Sequence, residues 1–251
     1  MANLSRRLFL KTSTLAGVGA VGIFNSFYGF NKVLGQDMAE NNDTATIINV
    51  AATAELFATT HYLAAINNAA ALELSPEEVA YMQAGFLAEQ DHFELLTSLG
   101  AVPLFTEFYV PETLFADRAL FSATTETAET VFIAAYLAAV RTWAEGGAAT
   151  APFAVTAAQI LATEAEHRAF ARDLGNRPSS NQSYAQYLFL NVSDAATPLL
   201  PFLDGSGEGF VGPIAPPTAD DIAGVRAQIA NIGYDNLGVP FAAMDLSMLG
   251  S

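Results

Sequence analysis

Leu87–Leu96 reads LAEQDHFELL and places Glu89 and His92 three residues apart in a run whose other periodic positions are apolar. Residues three apart share a face of a helix, and Val79, Met82, Phe86, Glu89, Phe93 and Leu96 step by three and four along that face. Such a stripe is an inward seam, where an isolated charge costs several kcal/mol to bury. The chain has three histidines in 251 residues. A histidine and a glutamate on one buried face therefore need partners elsewhere in the sequence.

Those partners come from three further helical patterns. The first runs from Thr44 to Glu73, with Ile48, Ala52, Glu55, Thr59, Tyr62, Ile66 and Ala69 on one face. The quoted stretch belongs to the second, which opens at Ser75-Pro76-Glu77-Glu78, a capping box with proline in the first turn, and stops at Gly100. A third, Thr125 to Glu145, carries Glu129, Ile133, Tyr136, Val140 and Trp143. The fourth runs from about Thr150 to Gly175 and carries Ile160, Glu164, His167 and Ala171. Short links make the first and second, and the third and fourth, antiparallel neighbours, while the roughly 25 residues from Leu99 to Thr124 suffice to travel back along a helix. The predicted fold is all-α, a four-helix bundle of two hairpins with one long crossover over residues 44–176. Residues 177–251 form an irregular Pro/Gly-rich extension, with a short helix from Ala219 to Ile229. SYAQYLFLNV, PLLPFL and GVPFAAMDLSML are too apolar to stay solvated, so the extension is expected to pack on the bundle.

The hairpins repeat each other. Glu55 and Glu129, like Tyr62 and Tyr136, are 74 residues apart, and Glu89 and Glu164, His92 and His167, and Gly100 and Gly175 are each 75 apart. Each residue of a helix rises about 1.5 Å, so depth can be counted from the turn of each hairpin. Glu55, Glu89 and His92 then share one level, and Glu129, Glu164 and His167 repeat it. Four carboxylates and two imidazoles facing one core repel or protonate unless cations neutralise them. Two divalent ions make the set formally neutral, and oxygen and nitrogen donors suit iron or manganese, between which the residues do not choose. A lone Glu-x-x-His is more often a surface pair; the repeated, depth-matched set is what points to metal. Around it, Tyr62 and Tyr136 are candidates to support the ligands, with core packing the alternative, and Asp91 is a candidate to orient an imidazole. His61 has no partner three residues away and reads as a packed histidine.

Composition narrows the chemistry. The absence of cysteine excludes thiolate metal sites, iron–sulfur clusters, disulfides and thiol catalysis. Ten basic against 26 acidic residues, a formal charge of -16, argue against nucleic acid and anionic membranes as partners. At the N-terminus, Ser5, Arg6, Arg7, Leu8, Phe9, Leu10 and Lys11 resemble a twin-arginine export signal and lead into a Gly-rich, weakly hydrophobic stretch with no acid before Asp37. Residues 1–35 are accordingly expected to be removed on export to the periplasm or exterior, with the twin-arginine machinery as partner. A general secretory signal or an anchor is the alternative.

AELFATTHY, LAEQDHFELLTSLGAVPL, AETVFIAAY and ILATEAEHRAF together resemble the ferritin-like superfamily, in particular its exported, desiccation-related members. The resemblance covers Thr44 to Asn176. It implies that Glu55, Glu89, His92, Glu129, Glu164 and His167 occupy the six ligand positions of a dinuclear site. Many relatives carry a second acid one turn after the first glutamate, where this chain has Ala58. The expected function is oxidation of Fe(II) or removal of peroxide in stress protection, with a small oxidant as reaction partner, ferroxidase-like or manganese-catalase-like. The alternative is a non-catalytic desiccation protein whose metal is structural or buffered. Assembly into a homo-oligomer is left open.

Overall fold

The computed structural model describes residues 42–231. The expected signal segment with Arg6 and Arg7, and the closing GVPFAAMDLSML stretch, lie outside the described residues. Helix α1 (Thr44–Asn67) starts where the Asp43 carboxylate accepts the Thr46 amide at 2.7 Å, satisfying one of the amides a helix start leaves free. Helix α2 (Pro76–Ser98) opens with the expected capping box: Ser75 Oγ accepts the Glu78 amide at 3.2 Å, and Glu78 Oε2 accepts the Ser75 amide at 2.8 Å. Helices α3 (Arg118–Glu145) and α4 (Ala151–Leu174) form the second hairpin, joined by a 3-10 turn at Gly147–Ala149.

All four helices pack against antiparallel neighbours. Contacts fall along α3 as they rise along α1: Thr44 with Trp143, Glu55 with Tyr136, Tyr62 with Glu129. The same inverse order relates α3 to α4, where Ser122 meets Ala171 and Thr130 meets Arg168, and α2 to α4, where Glu89 meets His167 and His92 meets Glu164. The crossover runs up the side of α1. The Val102 amide donates to Asn49 Oδ1 at 2.7 Å and the Leu104 amide to Thr53 Oγ1 at 2.8 Å. Further on, the Phe108 ring lies on Phe57 and the Phe115 ring on His61.

Two boundaries differ from the sequence reading. α1 ends at Asn67 and not at Glu73, because Asn68 turns its own side chain onto the Ala64 carbonyl at 2.8 Å and the chain proceeds in turns that bury Leu72 and put Glu73 at φ 53°. α3 begins at Arg118 and not at Thr125. Its cap is Asp117, which accepts the Leu120 amide at 3.0 Å, and Arg118 binds the Glu73 carbonyl at 3.0 Å, the Leu174 carbonyl at 3.2 Å and the Glu78 carboxylate. Asp117→Ala is expected to cost about 1 kcal/mol in chemical denaturation, with faster amide exchange at 118–124; an unchanged midpoint would mean that Arg118 alone holds this turn.

The extension is more regular than its composition implied. A 3-10 turn at Val192–Ala195 leads into α5 (Ala196–Asp204), and strand β2 (Phe210–Ile214) pairs antiparallel with β1 (Phe108–Pro111) of the crossover. Gly212 in β2 has φ +151°, and a Cβ there would lie 2.7 Å from the Phe108 carbonyl oxygen, so a side chain would push the strands apart. Helix α6 (Ala219–Asn231) lies on α2, with Gln83 donating to Gln228 at 2.5 Å. Phe57 packs against both Phe108 and Phe202, at 5.4 and 5.3 Å between ring centroids. One buried ring of α1 thus fastens crossover and extension together, and each such ring contributes about 1.5–3 kcal/mol. No described helix is long and apolar enough to cross a membrane.

Candidate metal centre

Each bundle helix carries one fully buried glutamate: Glu55, Glu89, Glu129 and Glu164 are all at most 2% exposed. They lie between two apolar clusters, one around Phe57, Phe86, Phe121 and Leu174, the other around Ile47, Ala139, Trp143 and Ile160. The stripes that form these clusters continue through the glutamates, so apolar packing on both sides fixes the level at which the acids meet.

The structure brings all six sequence-predicted residues together. His92 Nδ1 is 3.4 Å from Glu55 Oε2, 3.3 Å from Glu89 Oε2 and 3.4 Å from Glu164 Oε1. His167 Nδ1 is 2.8 Å from Glu89 Oε1 and 3.2 Å from Glu164 Oε2. Glu89 and Glu164 thus turn one oxygen to each imidazole. The result is two overlapping quartets, Glu55/Glu89/His92/Glu164 and Glu89/Glu129/Glu164/His167, the candidate ligand atoms of each lying within 4.8 Å of one another. Counting depth gives two separate trios; the assembled bundle shares its middle glutamates between both halves. In each glutamate one buried oxygen has no hydrogen-bond partner: Glu55 Oε2, Glu89 Oε1, Glu129 Oε2 and Glu164 Oε1. The short Glu89 Oε1 to His167 distance is a charge contact too poorly aligned to be a hydrogen bond. Unpaired buried oxygens of this kind are costly, and oxygen and imidazole donors in sets of four fit a hard or borderline divalent ion.

The charges are strongly perturbed. Burial, reinforced by the neighbouring Glu164 and Glu89, raises the carboxyls of Glu55 and Glu129 well above the usual range. Burial would raise Glu89 too, but the charge of His167 and the close polar contacts with both imidazoles hold it well below. Burial opposes protonation of both imidazoles, yet the carboxylates outweigh it, chiefly Glu55 for His92 and Glu89 for His167, and both are raised well above the ordinary histidine value.

The ferritin-like domain family model matches residues 43–177, more than half of the chain. The chain belongs to that family. No curated protein and no solved structure matches it.

In this ferritin-like bundle the two tyrosines cross over. Tyr62 on α1 donates to Glu129 Oε1 of α3 at 2.9 Å, and Tyr136 on α3 donates to Glu55 Oε1 of α1. Each hairpin therefore orients the outer glutamate of the other, an arrangement that spacing along a single helix does not reveal. Asp91 does not orient an imidazole. Its carboxylate accepts from Arg226 of α6 at 2.9 Å on the outer surface, because it lies one residue off the inward stripe and the extension brings a cation to it.

His61 stands apart from both quartets. It stacks on Phe121 at 4.8 Å between ring centroids. Thr125 spends its proton on the Phe121 carbonyl, so His61 Nε2 donates to Thr125 Oγ1 at 2.9 Å and Nδ1 is left buried without a partner. Burial lowers this imidazole to about 4. The folded value lies below the unfolded one of 6.5, so the unfolded chain takes up the proton first and stability falls as pH drops from about 6.5 towards 4. His61→Phe should remove about 2 kcal/mol of the loss between pH 7 and 5, read from denaturation curves of both proteins. Identical pH profiles would rule out the neutral, buried imidazole.

Sequence reasoning missed Glu126. Arg168, Arg172 and Arg177 all converge on Glu126, with Arg168 Nη2 at 3.2 Å and Arg177 Nη2 at 3.0 Å. Arg168 is only 7% exposed. The available signal was the i, i+4 pair Arg168 and Arg172 on the rim of the α4 stripe.

Proposed function

We propose that this ferritin-like chain is an exported redox protein in which Glu55, Glu89, His92, Glu129, Glu164 and His167 hold two iron or manganese ions and a small oxidant is reduced. The observation that carries the reading is the pair of overlapping quartets, with Glu89 and Glu164 common to both and four buried carboxylate oxygens lacking partners. Such ions, when bound, exchange electrons with oxygen or peroxide. The chain's own part is to fix donors and protons. The Tyr62 and Tyr136 hydroxyls hold Glu129 and Glu55 in orientation. Glu55, Glu129, His92 and His167 favour their protonated forms in the bundle, so uptake of cations releases protons and weakens in acid. The apolar clusters on either side exclude bulk water from the exchange.

Elemental analysis of the purified protein, followed by Fe(II)-oxidation and peroxide-removal assays, tests the reading. Close to two ions per chain with turnover supports it. Bound metal without turnover favours the structural or buffering role, and no bound metal rejects both. The export arm rests on Ser5 to Lys11. Replacing Arg6 and Arg7 by lysine should block export, and undiminished export would favour the general secretory route.

A further inference from the structure

Beside the carboxylate cluster, α1, α3 and the extension line a partly open apolar pocket of about 20 Å³. Small side chains create it: Ala51 and Ala54 on α1 face Ala135 and Ala139 on α3, and Ala195 and Leu199 of the extension form the roof. The roof lies beyond residues 43–177, the part matched by the ferritin-like family, so the extension completes the pocket. Tyr136 also lines the cavity while its hydroxyl donates to Glu55. One side chain therefore separates the cavity from the cluster.

The volume selects the occupant. It only slightly exceeds the ~10–15 Å³ that one water-sized molecule needs, which rules out acyl chains and cofactors. Polarity selects further. Among the lining side chains the Tyr136 hydroxyl is the one polar group, and its proton is committed to Glu55. Water or hydrogen peroxide needs two to four polar partners and would surrender its hydrogen bonds on entry, whereas an apolar diatomic has none to lose.

We propose that this cavity binds dioxygen and delivers it past Tyr136 to the cluster, so that oxygen and not peroxide is the oxidant served from this side. The proposal rests on the redox reading above. In the reaction supplied, two Fe(II) substrates each give up one electron, and dioxygen takes both electrons and two protons to leave as hydrogen peroxide.

Krypton-pressurised crystals provide a readout independent of activity. A krypton atom is expected between α1, α3 and Leu199 in the wild type and should be lost in Ala51→Leu, which fills the space; Ala139→Leu fills it from the opposite helix if the first variant folds poorly. Neither residue belongs to the proposed metal site. In the folded variant the metal bound per chain should be unchanged, and Fe(II) oxidation by oxygen should slow by about fivefold or more while oxidation by peroxide changes by less than about twofold. A metal-loaded wild type without a krypton site overturns this proposal alone, as does equal slowing with both oxidants or slowing with neither. A wild type that takes up no iron or manganese overturns the redox reading itself.

Discussion

Glu89→Ala should yield a soluble, helical protein with almost no bound iron or manganese, whereas Glu55→Ala should retain about one ion per chain. The difference follows from how the carboxylates are shared. Glu89 offers Oε2 to the His92 side and Oε1 to the His167 side, and so belongs to both quartets, while Glu55 belongs to one. Removing Glu89 deletes a donor from each set of four. The fold should survive because the same substitution takes a charge out of a cluster in which burial, Glu164 and then Glu89 push Glu55 and Glu129 towards their neutral forms. His167→Ala should behave like a loss from one quartet, and His61→Ala should leave metal content intact. Metal per chain by elemental analysis, with far-ultraviolet circular dichroism as the control for folding, decides the matter. Equal metal content in wild type and Glu89→Ala would end the dinuclear reading.

Glu126→Ala should do the reverse, lowering stability by about 3–5 kcal/mol without touching metal content. Glu126 is the common counter-charge of Arg168, Arg172 and Arg177, whose side chains are 8, 11 and 26% exposed. Taking it away leaves three guanidiniums side by side, two of them largely out of water, and removes the charge that opposes the lowering of Arg168 by burial and by Arg172 and Arg177. The arginines also fasten the chain that leaves α4, through Asn181 and the Pro178 carbonyl, so the damage should spread to the start of the extension. Glu126→Gln keeps the shape and should recover little, because the charge is what is missing. A denaturation midpoint for Glu126→Ala within about 0.5 kcal/mol of wild type, the range of an ordinary surface change, would show that solvent screens the three arginines.

The contrast between these two acids marks how far the sequence could be read. Glu55, Glu89, His92, Glu129, Glu164 and His167 were legible because each sits on an apolar stripe, where a polar residue is conspicuous, and because a hairpin converts spacing into depth. The four helices were legible for the same reason. What escaped depended on pairs that no local period announces. The start of α3 at Arg118 hinges on Asp117 as a cap and on carbonyls of the α1–α2 turn and of the end of α4. Asp91 finds Arg226 across 135 positions. Glu126 draws its partners from α4 and from the turn beyond it, and the crossed tyrosine–glutamate pairs require knowing that α1 lies against α3.

The ladder between β1 and β2 has a consequence for how the two hairpins stay together. Duplicated hairpins are interchangeable in principle: the first of one molecule could dock with the second of another, the exchange that produces swapped dimers. Here Phe108–Pro111, just before the second hairpin, pairs with Phe210–Ile214, well after it. The second hairpin is therefore enclosed in a loop closed by its own chain, so lending it alone, with a hinge between β1 and α3, would require unzipping that ladder. An exchange that spares the ladder would have to carry β1, the second hairpin and the extension as one piece, with its hinge within residues 99–107.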